Sequence, residues 1–192
     1  MAKSKARAVW RFFHLECTKL TVEFELIHDE PEAAKIFSKE QRIGELHNSG
    51  KGLYKLTNGS KSWILTRRID GNLLPFSMLI SEEDGTKEIL KVKDHLFPYN
   101  SYFYMVGGIP ESQNPKDHLR GFKYIIRITN FPHTQHEQID EETRNRLKRH
   151  RGVLVGRIYG LGSKGFYVKL EDELKDIGLP LTAATYLMYS SA

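Results

Sequence analysis

Apolar and polar residues alternate along much of this chain with the two-residue period of a β-strand. The clearest run is residues 20–28 (LTVEFELIH), where Leu20, Val22, Phe24 and Leu26 alternate with hydroxyl and acidic side chains. This alternation predicts a strand with one face in the core and the other in water. Comparable runs predict further strands at residues 10–13, 53–56, 62–69, 73–80, 87–93, 102–106, 121–130, 153–159 and 166–170.

Three dipeptides with strong turn preference separate four of these runs: Asn58-Gly59, Asp70-Gly71 and Asp84-Gly85. Glycine, asparagine and aspartate tolerate the positive φ angles that two-residue hairpins require. The spacing of runs and turns therefore predicts an antiparallel meander of hairpins.

Helical patterns interrupt the strands in three places. Residues 29–47 have a proline, Pro31, in the predicted first turn and then apolar residues at spacings of three, four and seven. Residues 140–151 begin with the N-cap candidate Asp140, and residues 171–177 form a short third candidate. Residues 182–189 are apolar and fit either a helix or a strand. The pattern predicts one α+β domain at residues 9–192, mainly antiparallel sheet with two or three helices, after a basic flexible arm at residues 1–8.

The composition is that of a globular intracellular protein. The 40% apolar and 11% aromatic content suffices for a core, and the single cysteine, Cys17, excludes an intramolecular disulfide. No apolar run approaches the ~20 residues of a membrane span, and no signal-peptide core follows the basic start. We expect a soluble cytoplasmic or nuclear protein without a transmembrane segment.

The net charge of +5 is unevenly distributed. Residues 1–20 and residues 101–160 each carry four more bases than acids. Such polarisation favours an acidic partner, which is nucleic acid, an anionic membrane surface or an acidic protein. The alternative is a moderately basic surface that only contacts water.

The predicted helix at residues 140–151 is the most basic element. It carries five bases and few apolar side chains, so it cannot be deeply buried. Phosphate contact explains this density of charge, and a solvated connector is the alternative. The five bases are Arg144, Arg146, Lys148, Arg149 and Arg151.

Residues 120–127 (RGFKYIIR) resemble the RNP1 octamer of RNA-recognition motif domains at six positions. Lys123 replaces the small fourth residue and Arg127 replaces the final aromatic residue. The resemblance implies that Phe122 and Tyr124 stack on bases. Alternatively, both rings belong to the core. Under either interpretation, Lys123 and Arg127 are expected to point outward.

Two further motifs bear on chemistry. Residues 160–165 (GLGSKG) satisfy G-x-G-x-x-G but precede a strand rather than a helix, which favours a hairpin tip whose Lys164 meets a phosphate without catalysis. His133 and His136 are three residues apart and are the candidates for a metal ion, although the spacing matches no zinc motif. No cofactor is predicted.

The leading functional prediction is nucleic-acid binding, RNA before DNA, through phosphate contacts rather than base recognition. The predicted contacts are Lys123, Arg127, Arg144, Arg146, Lys148, Arg149, Arg151 and Lys164. One alternative is a self-associating assembly protein, similar to viral matrix proteins, that binds an anionic membrane or nucleoprotein. The other is a metal-dependent nuclease using His133 and His136. We expect a binding protein rather than an enzyme.

Overall fold

The computed structural model describes residues 15–17, 19–30, 33–68, 77–93, 95–107, 123–132, 142, 152–160 and 165–190. Within these ranges the chain forms thirteen strands: β1 (Leu15–Cys17), β2 (Val22–Glu30), β3 (Ala33–Ser38), β4 (Gln41–Gly50), β5 (Leu53–Asn58), β6 (Lys61–Arg68), β7 (Ser77–Glu82), β8 (Glu88–Lys93), β9 (Leu96–Tyr99), β10 (Tyr102–Gly107), β11 (Lys123–Pro132), β12 (Gly152–Gly160) and β13 (Gly165–Leu170). A 3-10 helix (Asp172–Ile177) and an α-helix, α1 (Gly178–Ser190), follow.

Strands β2 to β13 form a closed antiparallel barrel of twelve strands. Each strand pairs with its successor, and β13 pairs with both β12 and β2, which closes the ring. Strand β1 adds to β12 in parallel. In the described part of the chain, α1 is the single α-helix apart from Glu142, whose backbone is also helical. The predicted α+β fold with two or three helices is therefore wrong, because the protein is mostly β.

Helix α1 lies among the inward-facing side chains of the barrel. Residues 177–188 are buried without a break, and they join one core cluster with inward residues of the barrel strands. Barrels of eight strands are filled by side chains alone, whereas twelve strands enclose more space. A helix with its side chains is roughly 10–12 Å wide and occupies that space.

The sequence of α1 suits this position. It contains no charged residue and is apolar on every side, as expected of a helix surrounded by protein. Its two buried threonines satisfy their hydroxyls within the helix: Thr182 donates to the carbonyl of Gly178 at 2.7 Å, and Thr185 to that of Thr182 at 2.8 Å. The absence of a polar face is also why the sequence pattern fitted either a helix or a strand.

The helix predicted within residues 29–47 is replaced by strands β3 and β4. Ala34 and Ile36 face the core, with Lys35 between them on the outer face, so the period is two rather than 3.6. Lys39 and Glu40 form the turn with φ angles of 48° and 66°, although neither is a typical residue for positive φ. This unusual turn and the register shift after Ile36 obscured the alternation.

Two of the three predicted hairpin turns are confirmed. Asn58-Gly59 joins the antiparallel strands β5 and β6, and Asp84-Gly85 lies between the antiparallel strands β7 and β8. In the second turn, the carboxylate of Asp84 accepts hydrogen bonds from the amide and the hydroxyl of Thr86, at 3.0 and 2.7 Å. Asp70-Gly71 lies outside the described residues.

Strand β11 is buried on both faces. Ile125 belongs to the main core inside the barrel, whereas Ile126 and Ile128 join a second apolar cluster on the outer face. The other members of that outer cluster are Leu96, Phe103 and Met105, each at most 4% exposed, with Tyr124 packed against it. The expectation that Lys123 and Arg127 point outward is wrong, because they share the inward face with Ile125.

Candidate functional site

The occupied interior leaves the two ends and the outer surface of the barrel as the places where a ligand can bind. We call the end where β13 leads into the 3-10 helix the base, and the end where α1 terminates the far end. Two residues that the sequence predicted as phosphate contacts lie near these ends, Arg127 at the base and Lys123 at the far end. The structure adds a groove on the outer face that the sequence did not indicate.

Arg127 lies inside the barrel at the base. Its guanidinium forms an ion pair with Glu173 of the 3-10 helix and lies 5.3 Å from the ring centre of Tyr102. The hydroxyl of the buried Tyr104 donates to the same carboxylate at 3.3 Å. Burial raises the pKa of Glu173, and the neighbouring Arg127 opposes that shift. Arg127 therefore has intramolecular partners that close the base of the barrel.

Lys123 lies at the far end, next to the last turn of α1. Its amino group is 5.6 Å from the ring centre of Tyr189, and the ring of His95 stacks on the same tyrosine at 6.1 Å. Nδ1 of His95 also lies 2.9 Å from the sulfur of Met188. Burial and the charge of Lys123 lower the pKa of His95, and burial raises the pKa of Tyr189.

The remaining predicted site residues lie outside the described residues. They are Arg144, Arg146, Lys148, Arg149, Arg151 and Lys164, together with the metal candidates His133 and His136. The structure does show the two strands that flank residues 133–151. Residues 133–151 connect the end of β11 to the start of β12, and these two strands are antiparallel neighbours.

A groove of about 250 Å³ lies on the outer face of the barrel, where β13, β2 and β3 run side by side. We call it the acidic groove, because three carboxylates line it. The rings of Phe37 and Tyr167 line it as well, whereas the third aromatic residue of the lining, Phe24, belongs to the core. Its lining residues are Glu23, Phe24, Glu25, Phe37, Ser38, Lys39, Glu40 and Tyr167. The register places Tyr167 opposite Glu25, and Glu25 opposite Phe37, so the three side chains form one row across three strands.

One wall of the acidic groove is fixed by a hydrogen-bonded triad. Glu23 accepts a hydrogen bond from the hydroxyl of Tyr167 at 2.6 Å and an ion-pair contact from the amino group of Lys169 at 2.7 Å. The hydrogen bonds from Lys169 and Tyr167 lower the pKa of Glu23. Burial and the contact with Glu23 raise the pKa of Tyr167. Glu23 is therefore charged at neutral pH, and its oxygens already have partners.

Sequence reasoning missed the acidic groove for a specific reason. The acids of β2 were correctly placed on the outer face, but Phe37 was assigned to a helix, and the pairing of β13 with β2 was not predicted. Glu23 and Lys169 are far apart in the chain and face each other only because the barrel closes. The alternation in β2 was the one available signal, and it predicted a solvent-exposed face rather than a binding site.

Within the described ranges, no group of three or more histidine, cysteine, aspartate or glutamate side chains is arranged to hold a metal ion. Among those same residues, no helix has the length and apolar character needed to cross a membrane. No family model, curated protein or solved structure shows significant similarity to the chain.

Proposed function

We propose that this protein is a nucleic-acid-binding module that contacts the phosphate backbone, RNA in preference to DNA, through the connection between β11 and β12. The positive net charge of +5 and its concentration in residues 101–160 support a polyanionic partner. Phosphate contacts need only a correctly placed set of cations and no catalytic group.

The observation that carries the proposal is the occupied interior of the barrel. Because α1 fills that space, the barrel provides a scaffold rather than a ligand cavity. Binding residues on such scaffolds lie mostly on the connections between rigid elements. Loops longer than about 12–15 residues are uncommon in compact domains, and they are usually either functional or linker segments. Residues 133–151 form such a connection, and their second half carries the densest run of bases in the chain.

The positions of Lys123 and Arg127 remove both residues from the set of proposed phosphate contacts. Arg127 is paired with Glu173, and Lys123 lies over the ring of Tyr189, so neither is assigned a phosphate in the proposal. The proposed contacts are Arg144, Arg146, Lys148, Arg149 and Arg151, with Lys164 assisting.

The proposal is tested by fluorescence anisotropy with a labelled single-stranded RNA at about 50 mM salt, where phosphate contacts are strong. The wild type should bind, and the triple variant Arg144→Ala/Lys148→Ala/Arg151→Ala should bind much more weakly. A matched control removes three exposed lysines near β6 and β8, three or more strands away from β11: Lys61→Ala/Lys87→Ala/Lys91→Ala. This control should bind like the wild type.

Sedimentation with anionic vesicles distinguishes the competing partner. Attachment to vesicles without RNA binding would contradict the proposal and support the assembly-protein alternative, because juxtaposed bases contribute about 1 kcal/mol each at an anionic membrane. Equal loss of RNA binding in the triple variant and in the matched control would show that only total charge matters. That result would contradict the assignment to residues 144–151.

A further inference from the structure

We propose that the acidic groove binds a guanidinium group, either the arginine side chain of a partner protein or a free arginine derivative. This site is independent of the RNA proposal, since its ligand carries the opposite charge and its residues lie on β13, β2 and β3. Three features support this site: the row of side chains across these strands, the carboxylate in its centre that has no partner among the described residues, and the volume of the groove.

The row Tyr167–Glu25–Phe37 has the composition that a planar cation requires. Directly opposite residues on antiparallel strands have Cβ atoms roughly 4.5–5.5 Å apart, so the carboxylate of Glu25 lies between two aromatic side chains. Aromatic faces attract cations, arginine more often than lysine, and a carboxylate accepts two parallel hydrogen bonds from a guanidinium. The ring of Phe37 therefore offers stacking beside the carboxylate of Glu25, while the ring of Tyr167 already has the amino group of Lys169 5.5 Å from its centre.

Glu25 is the available acceptor in this row. Its side chain is half-buried, and no described residue makes a hydrogen bond or an ion pair with it. Glu23, next to it on the same face of β2, already holds the hydroxyl of Tyr167 and the amino group of Lys169. That triad fixes the wall of the groove and leaves Glu25 to meet a ligand.

The size and chemistry of the groove favour a single guanidinium. Its volume of about 250 Å³ falls below the ≈ 300–1,000 Å³ of pockets that take drug-sized ligands, so it suits one side chain. A guanidinium is planar and weakly hydrated and stacks on aromatic rings, whereas an ammonium is a compact, strongly hydrated charge. An arginine therefore makes better use of the ring of Phe37 than a lysine does.

Lys39 is a cation that lines the groove and competes with the guanidinium for its carboxylates. It lines the same space, and its charge contributes to lowering the pKa of Glu23. It occupies a turn position with a φ of 48°, which asparagine also tolerates. Lys39→Asn therefore removes the competing charge without straining the turn, and it should tighten guanidinium binding by roughly twofold, as expected for one exposed charge.

The test is a titration of the ¹⁵N-labelled wild type with N-acetyl-arginine amide, followed by amide NMR shifts. The expected shifts are at β2, at the turn between β3 and β4, and at Tyr167. N-acetyl-citrulline amide, a neutral molecule of the same shape, should cause none of them. Glu25→Gln should weaken binding by about tenfold, as expected when a charged hydrogen-bond partner is lost. Glu88→Gln, which changes an exposed carboxylate on β8, should leave the affinity unchanged.

The same titration with a short arginine-containing peptide separates the two sources of the ligand. Tighter binding of the peptide than of the free derivative supports a protein partner, and equal affinity supports a small molecule. Equal shifts with the arginine and citrulline compounds, or an unchanged affinity in Glu25→Gln, would overturn the proposal.

Discussion

The hydroxyl of Tyr186 on α1 donates a hydrogen bond to the main-chain carbonyl of Ala33 on β3, across 3.1 Å. The same oxygen lies 2.7 Å from Nδ1 of His28 on β2, and the geometry suits donation from that nitrogen to the hydroxyl. These contacts connect the buried helix to the wall of the barrel. They also satisfy polar groups that would otherwise be buried without partners.

Replacing this hydroxyl should measurably destabilise the protein. Tyr186→Phe keeps the ring but leaves the Ala33 carbonyl and the His28 nitrogen without their partner, and we expect a loss of about 1–3 kcal/mol in the free energy of unfolding. Urea denaturation measures this loss. Tyr189→Phe is the matched control on the same helix, because the buried hydroxyl of Tyr189 has no hydrogen-bond partner among the described residues. Equal losses in the two variants would contradict the role given to Tyr186.

Gly165, at the start of β13, tests the closure of the barrel. Its φ of 140° is strained for any other residue, and an added Cβ would lie 1.8 Å from the carbonyl oxygen of Leu26 on β2. Gly165→Ala should therefore cost at least ~2 kcal/mol, because the pairing of β13 with β2 must shift. Gly160→Ala is the control, since no atom of the described residues lies within 4 Å of an added Cβ at that position, and it should change stability by no more than about 0.5 kcal/mol. Equal thermal denaturation midpoints for the two variants would be incompatible with this closure.

The pH dependence of stability should differ in sign for two carboxylates. The folded-state pKa of Glu173 lies above its ordinary value of 4.5, mainly because of burial. The stability associated with its proton is therefore fully present below about pH 4.5 and is lost as the pH rises through the higher folded-state pKa. The stability of the wild type relative to Glu173→Gln should accordingly fall as the pH is raised from 4 to 7.

Glu23 should behave in the opposite way. The hydrogen bonds from Lys169 and Tyr167 hold its pKa below 4.5, so its contribution is present above that pH and disappears as the pH falls through the lower folded-state pKa. Because the Lys169 contact is partly exposed, the contribution should be no more than ~1 kcal/mol. Urea denaturation of the wild type, Glu173→Gln and Glu23→Gln measures both slopes, between pH 4 and 7 for Glu173 and below about pH 4.5 for Glu23. Slopes of the same sign would contradict the environments described for the two groups.

The sequence predicts the local elements of this fold better than their arrangement. Strand β2 was recognisable because its apolar and acidic residues alternate strictly. The turns at Asn58-Gly59 and Asp84-Gly85 were recognisable because their residues favour positive φ. Strands β3 and β4 were not recognisable, since the turn between them places Lys39 and Glu40, which are not typical turn residues, at positive φ. Closure of the barrel pairs Gly165 with Ile27, and no local pattern encodes a contact at that separation.

The same limit applies to the candidate sites. The basic character of residues 144–151 is evident from composition, whereas the acidic groove depends on three strands that meet only after closure. Arg127 shows the difference clearly. Its charge suggested a surface contact, but the barrel needs a cation at its base to pair with Glu173 of the 3-10 helix. The face of a strand that enters the barrel is set by long-range packing, which the RNP1-like octamer does not reveal.

The salt dependence of RNA affinity tests the proposed function most directly. If Arg144, Lys148 and Arg151 each neutralise a phosphate, the triple alanine variant should flatten the slope of log affinity against log salt by about 2 units on single-stranded RNA. The control variant at Lys61, Lys87 and Lys91 should keep the wild-type slope. A wild type that binds no RNA at low salt, or a triple variant with the wild-type slope, would contradict the account.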